Sequence, residues 1–322
     1  MKTFVTGGSG FLGAAVVRRL VERGDEVVAL ARSDGAAAKL TRLGATPARG
    51  GGTDAGVLDA AMRGVDTVYH AAGIYRIGVK ESEHEAMFQT NVEGTILVLD
   101  AAIAAAVRRI VYVSTVGVFG NTHGLIVDET YERPDRDFLS YYDATKYLAH
   151  RVAEARAAAD APLVIVQPGA IYGPGDTSEL GAQIEQARRG RYWVRMLPEL
   201  GVTMSYIDDV VAGVLAAADR GRTGQAYVLG GEVARLGEIL DRVADLSGHR
   251  RARMTLPVAV IRAAAPLGPL LGPFVGAGPN LRESIRTGDG VTYWARSTKA
   301  KDELDYDPRS LDQGLRDLLA TT

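Results

Sequence analysis

The 322-residue chain contains no cysteine. This absence excludes disulfides, thiolate metal ligands and a cysteine nucleophile, and it fits an intracellular protein. Met1 is followed almost directly by the strand-like segment Thr3–Thr6, so we expect no signal peptide and a cytoplasmic location.

Excess charge of one sign and long hydrophobic runs are also scarce. The net charge is −2, which predicts no nucleic-acid or anionic membrane partner. The longest apolar stretch, Leu256–Val275, is interrupted by Arg262 and by several prolines and glycines, so we interpret it as core rather than as a membrane span. The five histidines show no metal-ligand spacing, and we expect no metal site.

Short β-branched segments alternate with helix-like segments over residues 1–170. This alternation indicates parallel strands joined by crossover helices, hence a doubly wound α/β sheet. The predicted strands are Lys2–Thr6, Glu26–Ala31, Thr46–Arg49, Asp66–His70, Arg109–Val113 and Leu163–Gln167. The predicted helices include Phe11–Arg23, Thr90–Ala106, Leu236–Ser247 and Ser310–Leu319.

The C-terminal part is richer in glycine, proline and irregular segments, which predicts a smaller second lobe. We assign residues 1–170 to a dinucleotide-binding domain. Residues 203–229 return to it through strand-like segments at Tyr206–Ile207 and Tyr227–Leu229. Residues 171–202 and 230–322 are predicted to form a substrate-binding lobe.

A glycine-rich segment, Thr6–Gly13, follows the first predicted strand and directly precedes an amphipathic helix. In this context Gly7 permits a tight turn, Gly10 lets the backbone approach a pyrophosphate, and Gly13 lets helix and strand pack closely. The free N–H groups and the positive dipole of the helix N-terminus then attract phosphate. The predicted contacts are Gly7, Ser9, Gly10, Phe11, Leu12 and Gly13.

The end of the second predicted strand distinguishes between the two nicotinamide cofactors. An acidic residue there holds the ribose hydroxyls of NAD, whereas this chain has Ala31 followed by Arg32. A guanidinium binds phosphate through a planar fork, so we expect NADP ahead of NAD. In the alternative, Arg32 lies on a solvated loop and Asp34 holds the ribose.

Tyr142 and Lys146 are four residues apart, which places them on one face of a helix. A free phenol has a pKa of about 10, and a nearby ammonium lowers it toward the range useful for proton transfer. Upstream, Ser114 and Thr115 follow the fifth predicted strand, where open α/β sheets place their sites. Their side chains point in opposite directions, so only one of them can hold a substrate carbonyl. The alternative is a Ser/Thr turn without catalytic meaning.

Together these segments resemble the extended short-chain dehydrogenase/reductase family, whose fold is of the Rossmann type. Thr6–Gly13 is similar to its TGxxGxxG motif, and Asn91–Thr95 to its NxxGT stretch. The resemblance implies a catalytic set of Thr115, Tyr142 and Lys146, with Thr115 rather than Ser114 in the catalytic slot. It also implies cofactor contacts at Ala71, Ala72, Gly73, Asn91, Tyr142, Lys146, Pro168 and Ile171.

Two departures from the family pattern bear on function. Gly50–Gly52 replaces the stretch where the family often has an aspartate near the adenine. Nucleotide-sugar epimerases and dehydratases usually carry an arginine about six residues before the position of Asp209, and Val202 and Thr203 occupy that region.

We therefore predict an NADP-dependent oxidoreductase of a fairly hydrophobic ketone, aldehyde or secondary alcohol, similar to the dihydroflavonol- and cinnamoyl-CoA-reductase branch. The apolar segments Leu256–Ile261 and Leu267–Val275 favour such a substrate. The alternatives are a nucleotide-sugar epimerase or dehydratase, with phosphate contacts from Arg188, Arg189, Arg191 and Arg195, and a non-catalytic cofactor sensor. Alanine-rich helices at Ala101–Ala106 and Ala149–Ala159 either form a homodimer face or cover the sheet.

Overall fold

The computed structural model describes residues 1–134, 136–267 and 280–321. Seven of its strands form one parallel sheet in the order β3-β2-β1-β4-β5-β6-β10. These strands are β1 Lys2–Thr6, β2 Glu26–Ala31, β3 Thr46–Arg49, β4 Thr67–His70, β5 Arg109–Val113, β6 Leu163–Pro168 and β10 Ala226–Leu229. The predicted doubly wound α/β fold is confirmed.

Helices cover both faces of this sheet. The helices of the described residues are α1 Phe11–Glu22, α2 Asp34–Arg42, α3 Ala55–Ala61, α4 His84–Phe88, α5 Gly94–Ala104, α6 Tyr141–Ala158, α7 Glu179–Arg188, α8 Ile207–Arg220, α9 Leu236–Leu246, α10 Val258–Ala264, α11 Leu281–Gly288, α12 Thr298–Leu304 and α13 Leu311–Thr321. A π-helical turn, Gln89–Glu93, precedes α5, and short 3₁₀ helices span Glu81–Glu83, Val116–Phe119 and Ala265–Leu267.

Apolar residues at helical spacing explain why α1 packs on the sheet. Val16 and Leu20 are fully buried together with Val210 of α8, on the face that also holds α2. Burying a side chain of this size stabilises the fold by about 1.5–3 kcal/mol. The other face is covered by α3, α5 and α6, where Ala149 and Ala153 are fully buried. The alanines on this side of α6 therefore cover the sheet.

The remaining strands lie outside the main sheet. They are β7 Ala170–Tyr172, β8 Val194–Arg195, β9 Gly201–Tyr206, β11 Val233–Arg235, β12 Met254–Thr255 and β13 Thr292–Tyr293. Strand β9 pairs with β7, β11 and β13, whereas β8 pairs with β12.

The prediction that Tyr206–Ile207 returns to the first sheet is wrong. Tyr206 ends β9 in the small sheet, and Ile207 begins α8. The error arose because the sequence of a short segment can indicate a strand but does not indicate which other strand it pairs with. The prediction that Tyr227–Leu229 returns to the main sheet is confirmed, because β10 pairs in parallel with β6. The sequence also missed the break in the helix predicted at Thr90–Ala106, where a π-helical turn precedes α5 and Ala106 adopts a positive φ of 51°.

No helix among the described residues is long and apolar enough to cross a membrane. The Leu256–Val275 stretch is described only as far as residue 267. Within that part, Ile261 and Ala265 pack against Leu281 and Ile285 in a small apolar cluster.

Candidate active site

The glycine turn between β1 and α1 closes one end of a cavity at the carboxyl ends of the strands. Gly7 has a φ of +72°, and a β carbon there would lie 2.7 Å from the Ala71 carbonyl group. A β carbon at Gly13 would overlap the carbonyl oxygen of Gly7. Helix α1 has no side-chain cap at its N-terminus and no acidic residue in its first turn. Its first N–H groups therefore face the cavity without competition, and they fit a diphosphate.

The cavity has a volume of about 1050 Å³ and brings together residues from distant parts of the chain. Every predicted site residue except Asn91 lines it. These residues are Gly7, Ser9, Gly10, Phe11, Leu12, Gly13, Arg32, Ala71, Ala72, Gly73, Thr115, Tyr142, Lys146, Pro168 and Ile171.

Asn91 does not line the cavity, contrary to the prediction of a direct cofactor contact. Its side chain is 2% exposed. The side-chain oxygen Oδ1 of Asn91 accepts a hydrogen bond from the Ile74 N–H (2.7 Å). Its side-chain nitrogen Nδ2 donates to the Ile74 carbonyl (3.1 Å) and to the Thr145 hydroxyl (3.0 Å). Asn91 thus ties the loop after β4 to α6. The NxxGT stretch indicated that Asn91 matters, but a sequence motif does not indicate in which direction a side chain points.

A buried ion pair fixes the first turn of α6, which carries Tyr142. Ser140 caps the helix by accepting a hydrogen bond from the Asp143 N–H (3.0 Å). Both oxygens of the Asp143 carboxylate are bonded by the Arg133 guanidinium, at 2.8 and 3.0 Å. Both side chains are almost fully buried, so loss of either would leave an uncompensated charge in the interior. Lys146 lies one turn further along the helix, on the same side as Tyr142.

Thr115 lies beside Tyr142, whereas its neighbour Ser114, which also lines the cavity, has its hydroxyl bonded to His150. The Thr115 hydroxyl accepts a hydrogen bond from the Gly117 N–H (3.1 Å) and also lies close enough to Tyr142 to lower the pKa of its phenol by hydrogen bonding. The Ser114 hydroxyl is 2.9 Å from Nδ1 of the buried His150. Of the two adjacent hydroxyls, that of Thr115 is therefore the one next to the Tyr142 phenol.

The pKa of Tyr142 is shifted upward, opposite to the expectation that Lys146 would lower it. Burial is the main cause, and nearby Tyr75, Tyr112 and Asp143 add to it. Burial also lowers the pKa of Lys146 to about 8. The Lys146 ammonium donates to the Val113 carbonyl (3.2 Å) and lies 3.5 Å from the Tyr112 hydroxyl. Desolvation therefore dominates the Tyr142 shift, and what lowering there is comes from the Thr115 hydrogen bond rather than from Lys146.

At the opposite end, Arg32 lines the cavity and is exposed. Asp34, the alternative ribose ligand, pairs with Arg49 and does not line the cavity. Lys39 of α2 was not among the predicted site residues, yet its ammonium donates to the Ser9 carbonyl in the glycine turn (2.8 Å). Lys39 lies in the second turn of α2, the helix that follows Arg32 and the cap Ser33, and its place in that helix was the available signal. A second cation thus stands against the phosphate-binding turn.

His70 forms a buried link beneath the cavity that the sequence analysis also missed. Thr95 donates its hydroxyl proton to the backbone carbonyl of Asn91 (2.7 Å). Because that proton is used, the Thr95 oxygen accepts a hydrogen bond from Nε2–H of His70 (2.9 Å). Nδ1 of His70 then accepts from the Thr6 hydroxyl (2.6 Å), which in turn accepts from the Ala72 N–H (3.3 Å). Burial, together with the positive charge of Lys146, lowers the pKa of His70 to about 3. The ring is therefore a neutral strut joining β1, β4 and α5.

The part of the cavity beyond Tyr142 is largely apolar. We call it the substrate end; it is lined by residues of α7, β8, β9, α10 and α11 with their flanking loops. Val202 and Thr203 contribute to it, and the Thr203 hydroxyl is bonded to the Tyr293 carbonyl (2.9 Å). Arg188 and Arg189 pair with Glu185, and Arg195 pairs with Asp241. Neither these three arginines nor Arg191 lines the described cavity.

A Rossmann-type sheet with this glycine turn, and with a tyrosine and a lysine one helical turn apart at the same cavity, defines a nicotinamide-dependent enzyme of the short-chain dehydrogenase/reductase class. The chain belongs to the NAD dependent epimerase/dehydratase family, whose model matches residues 3–230.

Similar proteins include reductases that match most of the chain. A ketoreductase of Stigmatella aurantiaca, named for 4-hydroxy-2-methyl-3-oxo-4-farnesyl-3,4-dihydroquinoline-1-oxide, is 36% identical over 271 residues, 83% of this chain and 80% of that protein. A 2-alkyl-3-oxoalkanoate reductase of Stenotrophomonas maltophilia is 32% identical over 100% of this chain and 99% of its own length. The solved structure of gox2253 has a TM-score of 0.82 at 31% identity and covers 99% of this chain and 96% of its own. The protein is accordingly an NAD(P)-dependent oxidoreductase of this class that acts on a small molecule.

Among the described residues, no group of three or more histidine, aspartate or glutamate side chains could hold a metal ion.

Proposed function

We propose that the protein is an NADP-dependent reductase of the ketone or aldehyde of a fairly hydrophobic small molecule, or a dehydrogenase of the corresponding secondary alcohol. One observation carries this proposal: Thr115 and Tyr142 lie side by side where the glycine-turn end of the cavity meets its apolar end. We further propose that residues 171–202 and 230–322 form the substrate-binding lobe, while α8 and β10, the part of residues 203–229 that follows β9, complete the dinucleotide-binding domain.

The bound cofactor supplies the hydride for this reaction. Tyr142 donates its phenolic proton to the carbonyl oxygen as negative charge develops there, which is the role of a general acid. Because burial raises the pKa of Tyr142, the phenol carries its proton near neutral pH, and the Thr115 hydrogen bond, which acts to lower that pKa, favours release of the proton. Thr115 donates a second hydrogen bond to the same oxygen. The Lys146 ammonium stabilises the phenolate left after proton transfer and holds the cofactor ribose.

Two cations support the choice of NADP. Arg32 lines the cavity where the 2′-phosphate would lie, and Lys39, which does not itself line the described cavity, bonds the Ser9 carbonyl of the neighbouring glycine turn. The carboxylate that would favour a free ribose, Asp34, is paired with Arg49 outside the cavity. A guanidinium and an ammonium can both bond phosphate oxygens, whereas NAD offers only hydroxyls at that position.

The relatives' names support a carbonyl substrate. The Stigmatella relative is a ketoreductase, and the Stenotrophomonas relative is a reductase of an oxoalkanoate. The nucleotide-sugar alternative requires a cation at the substrate end for the diphosphate, and the described lining of that end contains none. Calorimetric titration of the cofactor-loaded protein with UDP-glucose and dTDP-glucose tests this point. Micromolar binding of either would favour the epimerase or dehydratase function.

Substitution of Tyr142 by phenylalanine tests the proposal directly, with NADPH oxidation followed against a set of aryl ketones and aliphatic aldehydes. A positioned general acid contributes about 10²–10⁴-fold, so kcat should fall by that order while NADPH still binds. Tyr141→Phe is the matched control, because Tyr141 is the adjacent residue of α6, stacks on His84 and does not line the cavity. Near-normal turnover by Tyr142→Phe would contradict the assignment.

A further inference from the structure

The cations of the described cavity lining are confined to its cofactor end. Arg32 and Lys146 are the lysine and arginine residues that line it, and His70 is held neutral. Residues 135, 268–279 and 322, whose structure is not described, contain no lysine, arginine or histidine. They therefore cannot supply a positive charge to the substrate end, wherever they lie.

Two carboxylates stand at the substrate end. Asp176 and Glu179 line the cavity before and at the start of α7. The Asp176 carboxylate is fixed by hydrogen bonds from the Ser178 N–H (2.8 Å) and the Ser178 hydroxyl (3.0 Å). Burial raises the pKa of Asp176, but these two bonds oppose the shift because they stabilise the charged form.

The negative charges of these carboxylates also affect the part of the cavity that contains Tyr142. The ring of Tyr75 meets the ring of Tyr142 edge-on, with 4.9 Å between centroids. Although 57% of the Tyr75 surface is exposed, desolvation raises the pKa of its phenol, and the negative charges of Glu179 and Asp176 contribute to that shift. Their field therefore reaches the aromatic side chain that touches the proposed proton donor.

We propose that the substrate end selects uncharged carbonyl compounds, and that Asp176 together with Glu179 rejects carboxylates and phosphates. The inference rests on the proposed reductase function, and it distinguishes this chain from the Stenotrophomonas relative, whose named substrate, an oxoalkanoate, is a carboxylate. An anionic group entering this end would lose hydration in an apolar cavity, meet no cation and face two like charges. Burying an unpaired charge is costly, and a cleft lined by one sign of charge depletes ions of the same sign.

A matched substrate pair tests the inference. The compounds are 4-oxo-4-phenylbutanoate and its methyl ester, which share a skeleton and a ketone and differ in charge. Rates of NADPH oxidation are measured for both, and their dissociation constants for the NADP(H)-loaded protein are measured from cofactor fluorescence. Wild type should prefer the ester by about tenfold or more, since like-charge juxtaposition costs several kcal/mol when it is not screened.

Asp176→Asn removes one charge and keeps the shape of the side chain. It should reduce the preference for the ester by about three- to tenfold, and Glu179→Gln combined with it should reduce the preference further. Asp59→Asn is the matched control, because Asp59 is an exposed carboxylate of α3 outside the described cavity lining. It should leave the preference unchanged.

The outcomes separate the two proposals. If wild type binds the carboxylate as tightly as the ester, the charge inference is overturned and the reductase function stands. If the preference exists but Asp176→Asn and the double variant both retain it in full, the assignment to these carboxylates is overturned. If neither compound binds or is reduced, the result counts against the proposed reductase of hydrophobic ketones itself.

Discussion

The hydroxyl of Ser114 lies 2.9 Å from Nδ1 of His150, whereas the next residue, Thr115, lies beside the phenol of Tyr142. Ser114 is 4% exposed, and Thr115 is partly open to the cavity. Two adjacent hydroxyls of similar chemistry therefore have different partners, and only one of them can reach a substrate at Tyr142.

We predict that Thr115→Val lowers kcat for carbonyl reduction by about 100- to 1000-fold, the range expected when one donor to a developing oxyanion is lost. Thr115→Ser should keep most of the activity because it retains the hydroxyl. The measurement is steady-state NADPH oxidation with a substrate that wild type turns over.

Ser114→Ala is the control for that series. It removes a hydrogen bond to the buried His150, so it should lower the free energy of unfolding by about 0.5–1.5 kcal/mol while leaving kcat close to wild type. If Ser114→Ala lost activity as severely as Thr115→Val, the two roles assigned to these residues would have to be exchanged.

Arg32 should determine the preference between cofactors. Arg32→Ala removes a charged partner of the 2′-phosphate, so NADPH should bind about ten- to 100-fold more weakly while NADH binding stays nearly constant. Lys39→Met should act in the same direction. Arg42→Ala, an exposed arginine of α2 outside the described cavity lining, is the matched control. Fluorescence titrations of both cofactors provide the measurement, and equal weakening of NADPH and NADH would contradict this role for Arg32.

Lys146 should make NADPH binding depend on pH. Burial lowers the pKa of Lys146 to about 8, so its side chain is an ammonium below that pH and a neutral amine above it. The dissociation constant of NADPH should therefore increase as the pH rises through about 8. Lys146→Met should bind NADPH more weakly and without this inflection. A wild-type profile that is flat from pH 6.5 to 9.5 would show that the charge of Lys146 does not contribute to binding.

His70 should make the fold sensitive to acid. Its pKa is about 3 in the folded protein and about 6.5 when unfolded, so the unfolded state binds more protons between these values. The free energy of unfolding should decrease as the pH falls below about 6.5, with a slope approaching 1.4 kcal/mol per pH unit from this one group.

The corresponding experiment is chemical denaturation at several pH values between 5 and 7.5. His70→Asn, which keeps a donor and an acceptor, should show a shallower dependence than wild type, although its stability at pH 7.5 should be lower. His123→Asn changes an exposed histidine and serves as the control. If wild type and His70→Asn lost stability with the same slope, His70 would not be the group that takes up the proton.

Local patterns predicted much of the fold and of the candidate site. The glycine turn at Gly7–Gly13 could be recognised from the sequence because it requires glycine at fixed positions. At Gly7 and Gly13 the structure leaves no space for a β carbon. Tyr142 and Lys146 could be paired from their spacing because a helix repeats every 3.6 residues. The contact at Gly13 and the spacing of Tyr142 and Lys146 are fixed by the backbone within a few residues, whereas the close approach at Gly7 is to Ala71, which only the fold brings near.

The sequence by itself determined the parallel sheet, the phosphate-binding turn and the tyrosine–lysine pair, because residue spacing and backbone sterics act locally. The tertiary structure decided which hydroxyl meets Tyr142, that Asn91 turns away from the cavity, and that Tyr206 belongs to the small sheet. It also decided that the pKa of Tyr142 shifts upward and that the cations lie at only one end of the described cavity. Burial and charge proximity depend on residues that are distant in the chain, and only folding brings those residues together.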